Sequence, residues 1–149
     1  MLGHCICSIS ADLDNFKQVN DRLGHAHGDT VLIKVAGALR GAVRPHDFVA
    51  RNGGDEFCVV SDGISVEEAE AMAERIRSTV LAVTTPEGVG ISVGVAHTDA
   101  SSPERDLSLL AIADRHMYSE KQRHSPALHR VGYTTERARK VRSVGRRHS

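Results

Sequence analysis

The sequence predicts an α+β fold, a mixed α/β sandwich in which a central, mostly antiparallel sheet is flanked by helices. Two observations support this prediction. Apolar periodicities place the elements in the order β, α, ββ, α, β, α, and a hairpin signal joins the two middle strands. The chain has 149 residues, of which 40% are apolar and 26% charged. This is enough material for one domain with a buried core.

The first half is predicted to contain a strand, a short helix or turn, and an amphipathic helix. The strand covers residues 4–12 and is rich in Ile and Cys. The segment 15–24 is predicted to be a short helix or turn that Gly24 closes. From about residue 29 to 43, apolar residues recur at three- and four-residue steps. This pattern predicts a helix with one buried face, which ends before Pro45.

The second half begins with a predicted hairpin. Strands at 47–51 and 56–60 flank Asn52-Gly53-Gly54-Asp55, in which the glycines supply the positive φ angles that a tight turn requires. The remaining predicted elements are a helix opened by a capping box from Ser65 to Glu68, a strand at 88–97 and a helix at about 107–123.

The net charge of zero arises from 19 basic and 19 acidic residues that are unevenly distributed. Residues 126–149 contain seven Lys or Arg and one Glu, a net charge of +6, so residues 1–125 carry −6. We therefore expect a folded domain over 1–125 and a basic, disordered tail over 126–149. A nucleic-acid role for this tail is the less favoured alternative, because basic termini are usually disordered.

The sequence contains no sign of a membrane segment or a secretion signal. No apolar run reaches the roughly 18–20 residues that a membrane helix needs, and the first residues lack the pattern of a signal peptide. The three cysteines, an odd number, do not make a complete disulfide framework. These observations predict a cytoplasmic protein with packed thiols.

The turn between the middle strands carries the first candidate chemistry. Gly53 and Gly54 precede Asp55 and Glu56, which places carboxylates on a backbone that a ligand can approach closely. Bare carboxylates repel phosphate, so an anionic ligand here implies a divalent cation with oxygen ligands, and Mg²⁺ fits that role. If the first strand neighbours the hairpin, Asp12 and Asp55 can converge on one metal. Each carboxylate alone also fits an exposed turn residue.

Several ordered motifs resemble those of the GGDEF domain, the diguanylate cyclase module. The central motif is Arg51-Asn52-Gly53-Gly54-Asp55-Glu56-Phe57. The others at family spacing are Asp12-Leu13-Asp14-Asn15-Phe16-Lys17-Gln18-Val19-Asn20-Asp21, Gly24-His25, Gly28-Asp29, Ile91-Ser92-Val93-Gly94-Val95-Ala96, and Ala113-Asp114 with Tyr118 and Lys121. The resemblance covers residues 4–124 and implies a fold similar to the nucleotidyl cyclase catalytic domain.

The resemblance also implies an enzyme activity. Such domains join two GTP molecules, one held by each of two facing protomers, into cyclic di-GMP with release of two pyrophosphates. The family pattern implies that Asp12, the backbone carbonyl of Leu13 and Asp55 hold Mg²⁺, with Mn²⁺ as an alternative. It further implies that Asp55 or Glu56 accepts the proton of the attacking 3′-hydroxyl. Positioning and electrostatics supply most of the catalysis in such reactions.

A nucleotide site follows from the same resemblance. Its implied positions are Asn20 and Asp29 for guanine, His25 for a further nucleotide contact, Lys121 for phosphate, and Gly53 and Gly54 in the turn. An Asp that accepts from N1 and N2 of guanine discriminates against adenine, which offers no such donor pair. Simpler alternatives remain open: Asn20 caps a turn, Asp29 caps the following helix, and Lys121 is a solvated cation at the end of a helix.

The segment Arg44-Pro45-His46-Asp47 is an R-x-x-D element with five residues between Asp47 and Gly53. It resembles the inhibitory site through which the family binds its own product, and Arg75 matches the additional arginine of that site. A guanidinium can bind phosphate or a guanine edge with two hydrogen bonds, and Asp47 can accept from guanine. Taken alone, R-x-x-D is also a common surface motif.

Two family elements differ in this sequence. The family has a D-x-L-T-x-L-x-N-R segment before the first strand that the sequence does not contain, and its G-R-N after the last helix is replaced by His124-Ser125-Pro126. We expect these differences to affect turnover more than binding. Two functions stay open: an active diguanylate cyclase that works as a homodimer, and a catalytically weak module that binds GTP or cyclic di-GMP through Arg44, Asp47 and Arg75.

Overall fold

The computed structural model describes residues 5–98 and 107–124. Its elements are β1 (Ile6–Asp14), α1 (Phe16–Leu23), α2 (His25–Ala42), β2 (Phe48–Gly53), β3 (Glu56–Asp62), α3 (Val66–Thr84), β4 (Gly90–Thr98) and α4 (Leu107–His124). A short 3-10 turn at Thr85–Glu87 follows α3. The basic tail predicted for 126–149 lies outside the described residues.

The four strands form one sheet in the order β2-β3-β1-β4. Strand β1 pairs with β3 on one side and with β4 on the other, and all three strand pairs are antiparallel. The predicted α+β fold with an antiparallel sheet between helices is therefore confirmed. The hairpin is confirmed as well, because β2 ends at Gly53 and β3 begins at Glu56.

The two faces of the sheet differ in chemistry because side chains alternate along β1. Cys7, Ile9, Ala11 and Leu13 belong to the main apolar core with residues of α2 and α3. The intervening residues of β1 are buried but polar: Ser8, Ser10, Asp12 and Asp14. A second, smaller apolar cluster joins β4 to α4. The polar positions of β1 are thus left for the face that α4 covers.

Helix α4 lies unusually close to β4. A Cβ placed on Gly94 would be 2.1 Å from both the carbonyl oxygen of Ala113 and the backbone nitrogen of Met117. Only glycine fits at this position, since any side chain would collide with the helix backbone. Gly94 therefore sets the distance between α4 and the sheet.

Several element boundaries differ from the sequence expectations. Strand β1 extends to Asp14, because Asp14 pairs with Gly90 of β4. Helix α2 begins at His25, directly after Gly24 with its φ of 88°. The alternative in which Asp29 caps this helix is wrong, because Asp29 lies inside it. The capping box is confirmed: the Ser65 hydroxyl accepts from the amide of Glu68, and the Glu68 carboxylate accepts from the amide of Ser65.

The cysteines at 5, 7 and 58 are all free thiols, and the second and third are buried. Burial, reinforced by the nearby charge of Asp47, raises the pKa of Cys7 to about 11. This agrees with the expectation of packed thiols. Within the described ranges, no helix is both long enough and apolar enough to cross a membrane.

Candidate functional site

The hairpin turn places its carboxylates at the end of β1. Gly53 and Gly54 adopt positive φ angles of 110° and 54°, which reverse the chain directly before Asp55. The amide of Leu13 donates to the backbone carbonyl of Asp55 over 3.1 Å, and Glu56 lies opposite Asp12 in the β1–β3 pairing. The strand adjacency that lets Asp12 and Asp55 converge is therefore present.

Lys121 joins this group from α4. Its Nζ lies 3.0 Å from Oδ1 of Asp12, 3.2 Å from the carbonyl oxygen of Leu13 and 3.3 Å from Oδ1 of Asp14. The Asp12 side chain is 1% exposed and the Lys121 side chain 13%. Lys121 is therefore a partly buried cation that accompanies the carboxylates, and its alternative as a solvated cation at the end of a helix is not supported.

The electrostatics of the site follow from burial and charge. Burial raises the pKa of Asp55, the negative charge of Asp12 raises it further, and Lys121 partly offsets both, so that the pKa is about 6. Burial lowers the pKa of Lys121, but the carboxylates of Asp12, Asp14 and Asp55 more than reverse this. The pKa of Lys121 thus lies above its usual value, and the ammonium stays charged at neutral pH.

A second group of polar residues surrounds Asp14. The Ser92 hydroxyl donates to Oδ1 of Asp14 over 2.8 Å, and Nδ1 of His124 lies 2.9 Å from Oδ2. Sequence reasoning assigned no role to Ser92 or His124. The β1–β4 register places Ser92 opposite Asp12. Because strand register is decided by the tertiary structure, the sequence alone does not identify Ser92. His124 stands where the family pattern has glycine.

The residues present fit a magnesium ion that is held partly by the protein. Among residues 5–98 and 107–124, no group of three or more His, Cys, Asp or Glu side chains is arranged to hold a metal. The donors that the family pattern implies are the carboxylates of Asp12 and Asp55 and the carbonyl of Leu13, all of them oxygens. Mg²⁺ prefers such donors and is usually bound through one or two carboxylates together with substrate phosphates. The contacts of Lys121 show that the oxygens of Asp12 and Leu13 converge on a cation.

The implied guanine residues lie on α1 and α2. Oδ1 of Asn20 is buried and accepts no hydrogen bond from the described residues, and a Cβ on Gly28 would be 1.7 Å from it. Asp29 lines a groove of about 580 Å³ between α2 and the β2–β3 hairpin, whose other walls include Leu32, Val49 and Phe57. His25 is exposed at the start of α2. The structure thus places Asp29 at a partly apolar groove, whereas Asn20 is not one of the described residues that line it.

The R-x-x-D element forms a closed network at the end of α2. Arg44 donates to Asp47 through its backbone amide over 2.8 Å and through Nε and Nη2, and the Ser61 hydroxyl donates to Oδ1 of Asp47 over 2.7 Å. Arg75 donates from Nε to the carbonyl of Ala42 over 2.6 Å. The three residues implied in product inhibition are therefore near one end of α2. Both oxygens of Asp47 already accept hydrogen bonds, and its side chain is 2% exposed.

Comparisons with known proteins agree on one family. The family profile described as "Diguanylate cyclase, GGDEF domain" matches residues 2–126. The chain is 38% identical over 125 residues to the probable diguanylate cyclase DgcT of Escherichia coli, which covers 78% of this chain and 27% of that protein. Overall, the chain spans a third or less of the curated relatives that it matches.

Solved structures support the same fold. The active GGEEF domain of a diguanylate cyclase from Vibrio cholerae superposes with a TM-score of 0.72 at 31% identity, covering 80% of this chain and 78% of that one. The GGDEF domain of DgcB from Caulobacter crescentus, in complex with c-di-GMP, superposes with a TM-score of 0.68 at 27% identity and covers 80% and 73%.

Proposed function

The chain belongs to the GGDEF domain family, and from that premise we propose that it is a diguanylate cyclase that condenses two GTP molecules into cyclic di-GMP and two pyrophosphates. The observation that carries the proposal is the convergence of Asp12, Asp55 and Lys121 at the end of β1. The relatives named as diguanylate cyclases support it.

The reaction needs three things from the protein. Each step is the attack of a ribose 3′-hydroxyl on an α-phosphate, so phosphate charge must be neutralised, the phosphate held in line and a proton removed. When bound by Asp12, Leu13 and Asp55, Mg²⁺ supplies Lewis-acid polarisation of the phosphate and a template for its oxygens. Lys121 supplies a positive charge to the triphosphate. Because Gly53 and Gly54 have no side chains, the backbone of the turn is open to the triphosphate.

The proton of the 3′-hydroxyl passes to a carboxylate of the turn. Glu56 is half-buried and lies opposite Asp12 in the sheet, and Asp55 precedes it in the turn. Both residues are therefore next to Asp12, and we propose that one of them accepts or relays the proton. The two glycines keep this group accessible from the turn.

Guanine selection is proposed for Asn20 and Asp29, with His25 as a further nucleotide contact. The buried Oδ1 of Asn20 requires a donor, and the carboxylate of Asp29 lines the groove beside α2. The N1 and N2 hydrogens of guanine are donors of the kind that such acceptors require, and adenine lacks that pair.

The product has two sugar-phosphate linkages, so catalysis is proposed to use two protomers that face each other, each with one GTP. Product inhibition through Arg44, Asp47 and Arg75 is part of the same proposal, supported by the c-di-GMP complex of the related DgcB domain. Because the Arg44–Asp47 pair is closed, product would first have to compete for Arg44. The substrate GTP is consistent with a cytoplasmic location.

The proposal is tested by incubating the purified protein with Mg²⁺ and GTP and measuring cyclic di-GMP by mass spectrometry. We expect Asp55→Asn to abolish product formation and to leave the fold intact, because a turn carboxylate contributes little packing. The matched control is Glu70→Gln, which removes a carboxylate from an exposed position of α3. A dimeric preparation that binds GTP but forms no product would instead support the second candidate, a module that only binds the nucleotide.

A further inference from the structure

Lys121 occupies the oxygens that the proposed function assigns to a metal. Its ammonium is 3.0 Å from Oδ1 of Asp12 and 3.2 Å from the carbonyl oxygen of Leu13. These are two of the three protein donors proposed for Mg²⁺. The Lys121 side chain is 13% exposed, so this contact is a packed interaction of α4 with β1.

An ammonium and a divalent ion that shared these oxygens would lie close together. Mg²⁺ binds oxygen at about 2.0–2.1 Å and demands regular geometry around itself. An ammonium that donates to the same oxygens would lie within a few ångströms of the metal, where two positive charges repel strongly in a partly buried site. Binding of one cation is therefore disfavoured while the other holds these oxygens.

Asp14 gives Lys121 a partner outside the proposed metal donors. Its Oδ1 is 3.3 Å from Nζ of Lys121, and its carboxylate is fixed by Ser92 and His124. A displaced ammonium can stay near Asp14 or turn to a bound anion.

We propose that Lys121 competes with the divalent cation for Asp12 and Leu13, so that the metal binds tightly only when the triphosphate of a nucleotide draws Lys121 away. This inference rests on the proposed function for the identity of the metal donors. It makes metal and nucleotide binding mutually supportive, because each removes an obstacle to the other.

The first test measures Mn²⁺ binding by electron paramagnetic resonance in the absence of nucleotide. We expect Lys121→Met to bind Mn²⁺ at least about tenfold more tightly than the wild type does. A tenfold change in affinity is equivalent to about 1.4 kcal/mol of binding free energy. The matched control is Arg123→Gln, which removes a positive charge from an exposed position of the same helix and should change the affinity little. Circular dichroism confirms that each variant is folded.

The second test uses the wild-type protein and does not depend on a variant. Acetic anhydride modifies amines that are free to react, and mass spectrometry reports the modification of each lysine. We expect modification of Lys121, relative to Lys34, to rise when Mn²⁺ is added and to return to its starting value after chelation. Lys34 is a suitable reference, since its side chain is 47% exposed and pairs with Glu87 on another part of the molecule.

The outcomes separate this inference from the proposed function. Equal Mn²⁺ affinity in wild type and Lys121→Met, no Mn²⁺ binding by either, or metal-independent modification of Lys121 at saturating Mn²⁺ would each overturn the competition. A protein that shows the competition but forms no cyclic di-GMP keeps this inference and loses the proposed function. A protein that forms cyclic di-GMP without the competition keeps the proposed function and loses this inference.

Discussion

Replacing Gly94 with Ala tests how α4 positions the site. The new Cβ would lie 2.1 Å from the carbonyl oxygen of Ala113 and from the nitrogen of Met117, and 2.8 Å from the Cα of Met117. All three are backbone atoms, so no side-chain rotation relieves the collision. The helix itself has to move away from the sheet.

The size of the effect follows from these distances. Ordinary van der Waals contact begins at 3.4 Å, so α4 must retreat by about 1.3 Å from its contact at 2.1 Å. Overpacking of this kind costs about 1–3 kcal/mol, which lowers the melting temperature of a domain of this size by about 4–12 °C. Lys121 is on the same helix, and a rigid shift would carry its Nζ beyond hydrogen-bonding distance of Asp12. Misplacement by about 1 Å can cost about 100-fold in rate.

Thermal unfolding followed by circular dichroism measures the first effect, and cyclic di-GMP formation well below the melting temperature measures the second. The control is Gly37→Ala, at an exposed site of α2 where a Cβ meets nothing within 4 Å. It should stabilise the protein by about 0.5–1 kcal/mol, because alanine favours the helix. Wild-type stability in Gly94→Ala would refute the packing argument. Lower stability with full activity would refute the link between α4 and the site.

Two further substitutions test the proposed guanine contact of Asn20 and the R-x-x-D network. Gly28→Ala should weaken GTP binding, measured by calorimetry, with little change in stability. The reason is that the new Cβ would displace Oδ1 of Asn20, which lies 1.7 Å from the Cβ position. Unchanged affinity for GTP would argue against a role for Asn20. Asp47→Asn should lower the free energy of unfolding by about 1–3 kcal/mol at pH 7. Burial alone would raise the pKa of Asp47, but hydrogen bonds from Ser61 and Arg44 outweigh it and hold the pKa below its usual value. That stabilisation is complete above the unfolded-state pKa of about 3.9 and is lost as the pH falls through the folded-state value. Urea unfolding should therefore show a difference between variant and wild type that is constant from pH 7 to about pH 5 and narrows below about pH 4. A difference independent of pH would contradict this account.

Much of the fold was predictable because its signals are local. The hairpin was visible in Gly53 and Gly54, which alone permit the positive φ angles of that turn. The capping box was visible in Ser65 and Glu68, because the two groups that it pairs are three residues apart. Boundaries were less accurate: β1 continues to Asp14 only because β4 lies beside it.

The residues of the candidate site also fall into those that the sequence identified and those that only the structure revealed. The carboxylate of Asp55 was found from sequence, since glycines before acidic residues have a local chemical meaning, and Asp12 was found from its place at the end of the predicted first strand. The closed pairing of Arg44 with Asp47 and Ser61 was not found, because Ser61 is distant along the chain and arrives through the sheet. The same holds for Ser92 and His124 around Asp14.

The sequence by itself determined the order of the elements, the turn that exposes two carboxylates, and the family motifs, because each depends on residues that are near one another along the chain. Only the tertiary structure decided that Lys121 is a partly buried cation bound to Asp12 and Leu13, more than a hundred residues away. The reason is geometric, because Gly94 lets α4 approach the sheet closely. That approach brings Lys121, which the sequence assigned to phosphate, into contact with oxygens that the sequence assigned to a metal.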